Sequence, residues 1–177
     1  YGIELLLGTE LNIMNARGEI DLPDSVLERL DIAIASIHMP CFKDERTIDN
    51  VTAAYEKVME HPYVDIIGHP DDGRFPVDMK RLVKKAKETG TLLEVNNSSL
   101  RPEGFRENTK ENCLEMVKEC KAQGVMIVLG SDSHVDADIA EYPYAEEILR
   151  ETDFPEELVA NVSLEKLKAC IKHGKKL

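Results

Sequence analysis

Short apolar runs alternate along the chain with stretches whose apolar positions recur every three or four residues. The runs at 3–7, 32–37, 64–67, 91–95 and 125–129 read as strands. They are apolar at nearly every position, the pattern of strands covered on both faces. Between them lie amphipathic segments. Residues 23–30 predict a short helix with Asp21 or Asp24 near its start. Residues 49–60 carry Val51, Ala54, Tyr55 and Val58 at helical spacing, and His61-Pro62 stops them. Residues 76–89 turn Leu82, Val83 and Ala86 inward and end at Gly90. Thr109 caps a helix to Gln123, with Leu114, Met116, Val117 and Cys120 apolar and Gly124 as its stop. Two further helices are predicted at 144–150 and 164–172, the second capped by Ser163 and ended by Gly174. Strand–helix–strand at this spacing implies parallel strands joined by right-handed crossovers. The fold class is therefore α/β, either an open doubly wound sheet or part of a βα barrel.

Composition narrows the functional classes. The chain has 177 residues, enough for one domain over 1–177 with a core that needs no disulfides. No apolar run approaches the length of a membrane span. A net charge of −12 disfavours a broad nucleic-acid face but leaves room for a small phosphorylated substrate beside a metal ion. The four cysteines, Cys41, Cys113, Cys120 and Cys170, form no C-x-x-C pair and read as free thiols of a reducing cytoplasm. Cys41 follows His38 at H-x-x-C spacing, but Pro40 breaks any helix there, which favours a loop thiol. No G-x-G-x-x-G, Walker loop or G-x-S-x-G elbow is present.

The chemistry lies where strands end. Glu10 follows the first predicted strand, His38 the second, His69 the third, and Asp132 and His134 the fifth. In parallel α/β folds the carboxyl ends of strands are where sites form. Carboxylate plus imidazole is a ligand set that zinc, manganese and iron accept. In an extended 132–134 segment, Asp132 and His134 would point the same way. The remaining histidines, His61 and His173, lie at helix ends. The fourth strand ends in Asn96-Asn97-Ser98-Ser99, whose amides and hydroxyls would orient ligands or bind substrate oxygens, or simply close a polar turn. Glu94 lies inside that strand and receives no metal. Arg74 and Arg101 sit in loops on the same face, where each would hold a phosphate or solvate the surface.

Gly8-Thr9-Glu10-Leu11-Asn12-Ile13, His38-x-Pro40, Gly68-His69-Pro70, Asn96-Asn97-Ser98-Ser99 and Gly130-Ser131-Asp132-Ser133-His134 together resemble the PHP (polymerase and histidinol phosphatase) superfamily, most closely its YcdX-type phosphatases. Asn161-Val162-Ser163 fits the same group. The resemblance implies a distorted seven-stranded βα barrel with a cluster of up to three divalent metals, commonly zinc. It implies that Glu10 bridges two metals, that His38 and His69 ligate one of that pair and Asp132 the other, and that His134 helps hold the third. It further implies hydrolysis of a small phosphomonoester by metal-activated water, with Glu10, Asp132 and His134 catalytic; Asn97, Arg74 and Arg101 are the candidate substrate contacts suggested by their place on the site face. The family's amino-terminal His-x-His and two further histidines have no counterpart, and five strands stand where seven are expected. The chain begins with Tyr1, so it is expected to be the C-terminal portion of a longer protein. An amidohydrolase-like C–N hydrolase and a noncatalytic PHP scaffold are the rival readings.

Overall fold

The structure is a computed structural model that describes residues 3–172. Its elements run β1 (Gly8–Asn12), α1 (Asp24–Leu27), β2 (Ile32–Ser36), α2 (Ile48–Val58), β3 (Ile66–Ile67), α3 (Met79–Thr89), β4 (Leu92–Asn96), α4 (Thr109–Gln123), β5 (Ile127–Gly130), α5 (Pro143–Glu151) and α6 (Leu164–Cys170). The strands form one parallel sheet in the order β1-β2-β3-β4-β5. Consecutive order is the singly wound arrangement of βα barrels. A doubly wound sheet reverses its order at a switch point.

Alternation along the strands divides the core in two. Leu11, Ala33, Ala35, Ile67, Leu93, Val95 and Ile127 face α2, α3, α4 and α5 in the main cluster. Ile32, Ile34, Ile66, Leu92 and Val128 face the other way, where Ala160, Leu167, Cys170 and Ile171 cover them. Each fully buried aliphatic side chain contributes about 1.5–3 kcal/mol.

Most predicted helices and their caps are present. Ser163 accepts the Lys166 N–H, and Gly90 and Gly124 close α3 and α4 at φ +67° and +68°. Three local readings change. The first strand is Gly8–Asn12, not 3–7. Ile3, Leu5 and Leu7 are exposed, while Leu11 supplies the inward side chain and Gly8 lies too close to Ile32 for a Cβ. Asn108, at φ +50° and without a side-chain cap, precedes α4, so Thr109 is its first residue rather than its cap. Helix α6 ends at Cys170, because Ile171 is buried under the sheet in extended backbone and the Lys172 N–H donates to Asp65 Oδ1 at 2.6 Å. The stop predicted at Gly174, like His173, lies outside the described residues. Among the described residues no helix is long and apolar enough to cross a membrane.

Candidate metal centre

The second face of the sheet changes character along its strands. Its amino-terminal half is apolar, with Ile34, Ile66, Leu92 and Val128. Two residues further on, the same face presents Ser36, Gly68, Glu94 and Gly130, joined by Glu10 on β1 and Asn96 on β4. Glu10 therefore sits within β1, not after it.

Glu10, His38 and His69 bring one ligand atom each within 4.8 Å of the others. Glu10 Oε1 lies 3.2 Å from His69 Nε2 and 3.5 Å from His38 Nε2, and the two Nε2 atoms are 3.2 Å apart. His69 is buried, whereas the side chains of His38 and Glu10 are 33% and 43% exposed, so the cluster is open on one side. Ser36 Oγ donates to Glu10 Oε1 at 2.6 Å. The hydrogen bond from His69, aided by that from Ser36, holds the Glu10 carboxyl down at about 2 against the effect of burial. Burial first, and then the adjacent His69, push the His38 imidazole below its usual range.

His38 is fixed through its ring. Its Nδ1 meets Asn12 Oδ1 at 2.8 Å, while Asn12 Nδ2 donates to Asp21 Oδ2 at 2.6 Å. Because Asn12 presents oxygen, His38 Nδ1 carries the hydrogen and Nε2 turns a lone pair to the cluster. His69 is held differently. It adopts φ +32°, its N–H donates to Glu94 Oε2 at 2.8 Å, and its buried Nδ1 meets no partner among the described residues.

Glu94 is buried between two glycines. A Cβ on Gly130 would fall on Glu94 Oε1 and lie 2.8 Å from its Cδ, and one on Gly68 would overlap Ser36 Oγ. Burial pushes the Glu94 carboxyl up. Asn96 Nδ2 donates to Glu94 Oε2 at 3.1 Å and to Asp132 Oδ2 at 3.2 Å. Asp71, just past His69, is 1% exposed, and neither of its carboxylate oxygens meets a partner among the described residues. Its carboxyl is pushed up to about 7 by burial.

Asp132 and His134 stand apart from the three-residue cluster. Asp132 pairs with Arg106, whose Nη1 and Nη2 lie 3.3 and 3.2 Å from Oδ2. The 132–134 segment is not the extended one in which the two side chains would point the same way. Asp132 takes φ +49°, which breaks the two-residue alternation, and the His134 side chain is 85% exposed with Nδ1 donating to the Asp132 carbonyl at 3.0 Å. Asn97 is buried, with Oδ1 accepting from the Tyr144 and Ala145 amides at the start of α5. Arg74 makes paired hydrogen bonds to Asp72 at 2.9 and 2.5 Å, and Arg101 Nη2 lies 2.7 Å from Asp138. Cys41 is partly exposed and free, and Cys113 and Cys120 are buried free thiols.

Arg106 was not visible as a site residue in the sequence. It lies in an irregular loop with no motif around it, and also donates to Ser99 Oγ at 2.7 Å. Asn12 had a signal in its alternation with Glu10 on one strand. Around the mouth, arginines and phenylalanines stack in turn. Arg46 and Arg74 lie 5.8 and 6.0 Å from the Phe75 ring, and Arg74 and Arg106 lie 4.8 and 5.4 Å from the Phe105 ring.

No protein-family model matches the chain. In fold it is similar to a histidinol phosphate phosphatase from Lactococcus lactis, solved with zinc, L-histidinol and phosphate. That likeness has a TM-score of 0.52 at 14% identity and covers 75% of this chain and 61% of that one. In sequence it is 45% identical over 177 residues to a probable phosphatase of Clostridium novyi, and 42% identical over 175 residues to one of Acetivibrio thermocellus. The chain spans 71% of the length of each of these relatives. Identity at this level over the whole chain makes it a member of the family of these probable phosphatases.

Proposed function

We propose that the protein is a metal-dependent phosphoesterase of the PHP type that hydrolyses a small phosphomonoester at the carboxyl ends of its strands. The observation that carries this reading is the Glu10–His38–His69 cluster. Its donors fit a transition-metal cation. His38 faces the cluster with a bare Nε2, His69 Nε2 points at the same space, and Glu10 adds a carboxylate held charged. Zinc, manganese and iron all suit this donor set. A divalent cation bound there supplies Lewis-acid activation of water and neutralises phosphate oxygens.

The chain's own residues supply the rest. Ser36 holds Glu10 Oε1 in place, and Glu10 would be the ligand shared by two cations. Asp132 and His134, on the loop after β5, are the further ligands we assign, for up to three cations in all. We assign either of them the further role of carrying the proton to the leaving alkoxide oxygen. Arg106 pairs with Asp132 and offers a guanidinium beside the centre. Of the three residues first assigned to substrate, Arg74 and Arg101 already face carboxylates, and the Asn97 oxygen is engaged by α5, so each carries less of phosphate recognition. The relatives' names and the zinc and phosphate in the structural neighbour support this chemistry. The free thiols support a reducing, cytoplasmic setting.

The test is metal content by mass spectrometry after reconstitution, together with hydrolysis of p-nitrophenyl phosphate. Bound metal and turnover are expected in the parent, and Glu10→Gln is expected to lose most of both. Unchanged metal content and rate in that variant would reject the assignment. A metal-loaded parent that cleaves cyclic amides but no phosphomonoester would move the protein to the amidohydrolase class.

A further inference from the structure

We propose that Glu94 is a positioning residue whose carboxylate fixes the main chain of His69 and so aims its imidazole at Glu10 and His38. The proposal rests on the reading of that cluster as a metal centre, but its geometry stands without a metal. The two imidazoles must converge, and they converge by different means. His38 is steered at its ring by Asn12, itself anchored on Asp21. His69 has no such handle, because its Nδ1 is buried without a partner among the described residues. Its direction has to come from the backbone, and that backbone is in the left-handed region at φ +32°, which a β-carbon disfavours. The contact that secures this conformation is the 2.8 Å hydrogen bond from the His69 N–H to Glu94 Oε2.

Glu94 is built to perform this task. It projects from β4, an interior strand whose Glu94 is paired to Val128 of β5, so its own backbone is held in the ladder. Gly130 clears the space its carboxylate occupies. Asn96 Nδ2 donates to the same Oε2 and fixes its rotamer. Through Asn96 the carboxylate is also joined to Asp132 and Arg106, so the main chain of His69 and the loop after β5 share one hydrogen-bond chain. A carboxylate that served only to fill the core would need neither a glycine opposite it nor a donor from a strained backbone.

The test compares Glu94→Gln, which keeps an oxygen for the His69 N–H, with Glu94→Ala, which does not. In the metal-free protein, the His38 and His69 rings, 5.0 Å apart between centroids, should show an NMR cross-peak between their carbon-bound protons. That cross-peak is expected in the parent and in Glu94→Gln and lost in Glu94→Ala. Cobalt(II) titration is expected to show affinity within about threefold of the parent for Glu94→Gln. For Glu94→Ala it should show a loss of about 10–100-fold with an altered visible spectrum. If Glu94→Ala does not fold, Gly130→Ala, which displaces the carboxylate without removing it, should lose the same cross-peak. Survival of the cross-peak in whichever of these two variants folds, or parental cobalt affinity in it, would overturn the proposal. If the parent binds no cobalt, the metal-centre reading falls, and the cross-peak alone decides the role of Glu94.

Discussion

Replacing Asp65 tests what ties the amino ends of the strands together. Asp65 immediately precedes β3 and is fully buried. Its Oδ2 accepts the Ala33 N–H of β2 at 2.9 Å, and its Oδ1 accepts the Lys172 N–H beyond α6 at 2.6 Å. One carboxylate thus joins two strands to the segment that closes the second face. In Asp65→Ala both amides lose a charged acceptor in a site with little access to water. Hydrogen bonds to charged groups are worth about 1.5–3 kcal/mol each, so the loss is about 3–6 kcal/mol. At about 2–4 °C per kcal/mol for a chain of this size, the melting temperature should fall by about 6–24 °C. Asp65→Asn should fall between parent and Ala, because one end of its amide accepts while the other sets a donor against a donor. Urea unfolding gives the free energies and a thermal melt the shift. Zinc affinity of the folded variants should stay within about threefold of the parent, since Asp65 precedes β3 whereas His38 and His69 lie past the carboxyl ends of β2 and β3. An Asp65→Ala protein within about 1 kcal/mol of the parent would refute the clamp, given that an unsatisfied buried group costs at least that much.

Asn12→Ala removes the acceptor that sets the tautomer of His38, and calorimetric titration should show zinc affinity falling by about 10–100-fold. Unchanged affinity would mean that Asn12 does not orient the ring. Arg106→Ala leaves Asp132 with Asn96 as its remaining side-chain donor here, and urea unfolding should report a loss of about 1–3 kcal/mol. A change below about 0.5 kcal/mol, the level of an ordinary surface substitution, would mean that solvent replaces the pair freely. Zinc at about 100 times its dissociation constant should raise stability by about 2.7 kcal/mol, and a chelator should reverse the gain. A melting curve indifferent to both would argue against a cation site in the folded chain.

The sequence exposed more of the scaffold than of the site's inner workings. The alternation of apolar runs and amphipathic segments predicted the parallel α/β order, and Gly90, Gly124 and Ser163 act at helix ends as their chemistry requires. Hydrophobicity alone points to 3–7 for the first strand, whereas the ladder forms over Gly-Thr-Glu-Leu-Asn. There one inward leucine, a glycine fitted against Ile32 and pairing to β2 outweigh a run of exposed aliphatics. Glu10, His38 and His69 were visible as strand-end residues of metal-binding type, and the fold brings them together. The relation of Asp132 to His134 was not legible, since it depends on a left-handed residue that spacing does not encode. Arg106 and the hold of Glu94 on His69 were also hidden, because each joins positions from separate βα units.

The alternating stack at the mouth has its own consequence. Arg46 follows β2, Arg74 and Phe75 follow β3, and Phe105 and Arg106 follow β4, so rings and guanidinium planes strap three separate turns to one another. Each contact is worth only about 0.5–1 kcal/mol where water reaches it, but the four act in series. The rim therefore behaves less like three independent loops than like a collar. A residue inserted into any one turn would shift the whole ring, and surface turns that ordinarily vary freely in length are here constrained by their neighbours.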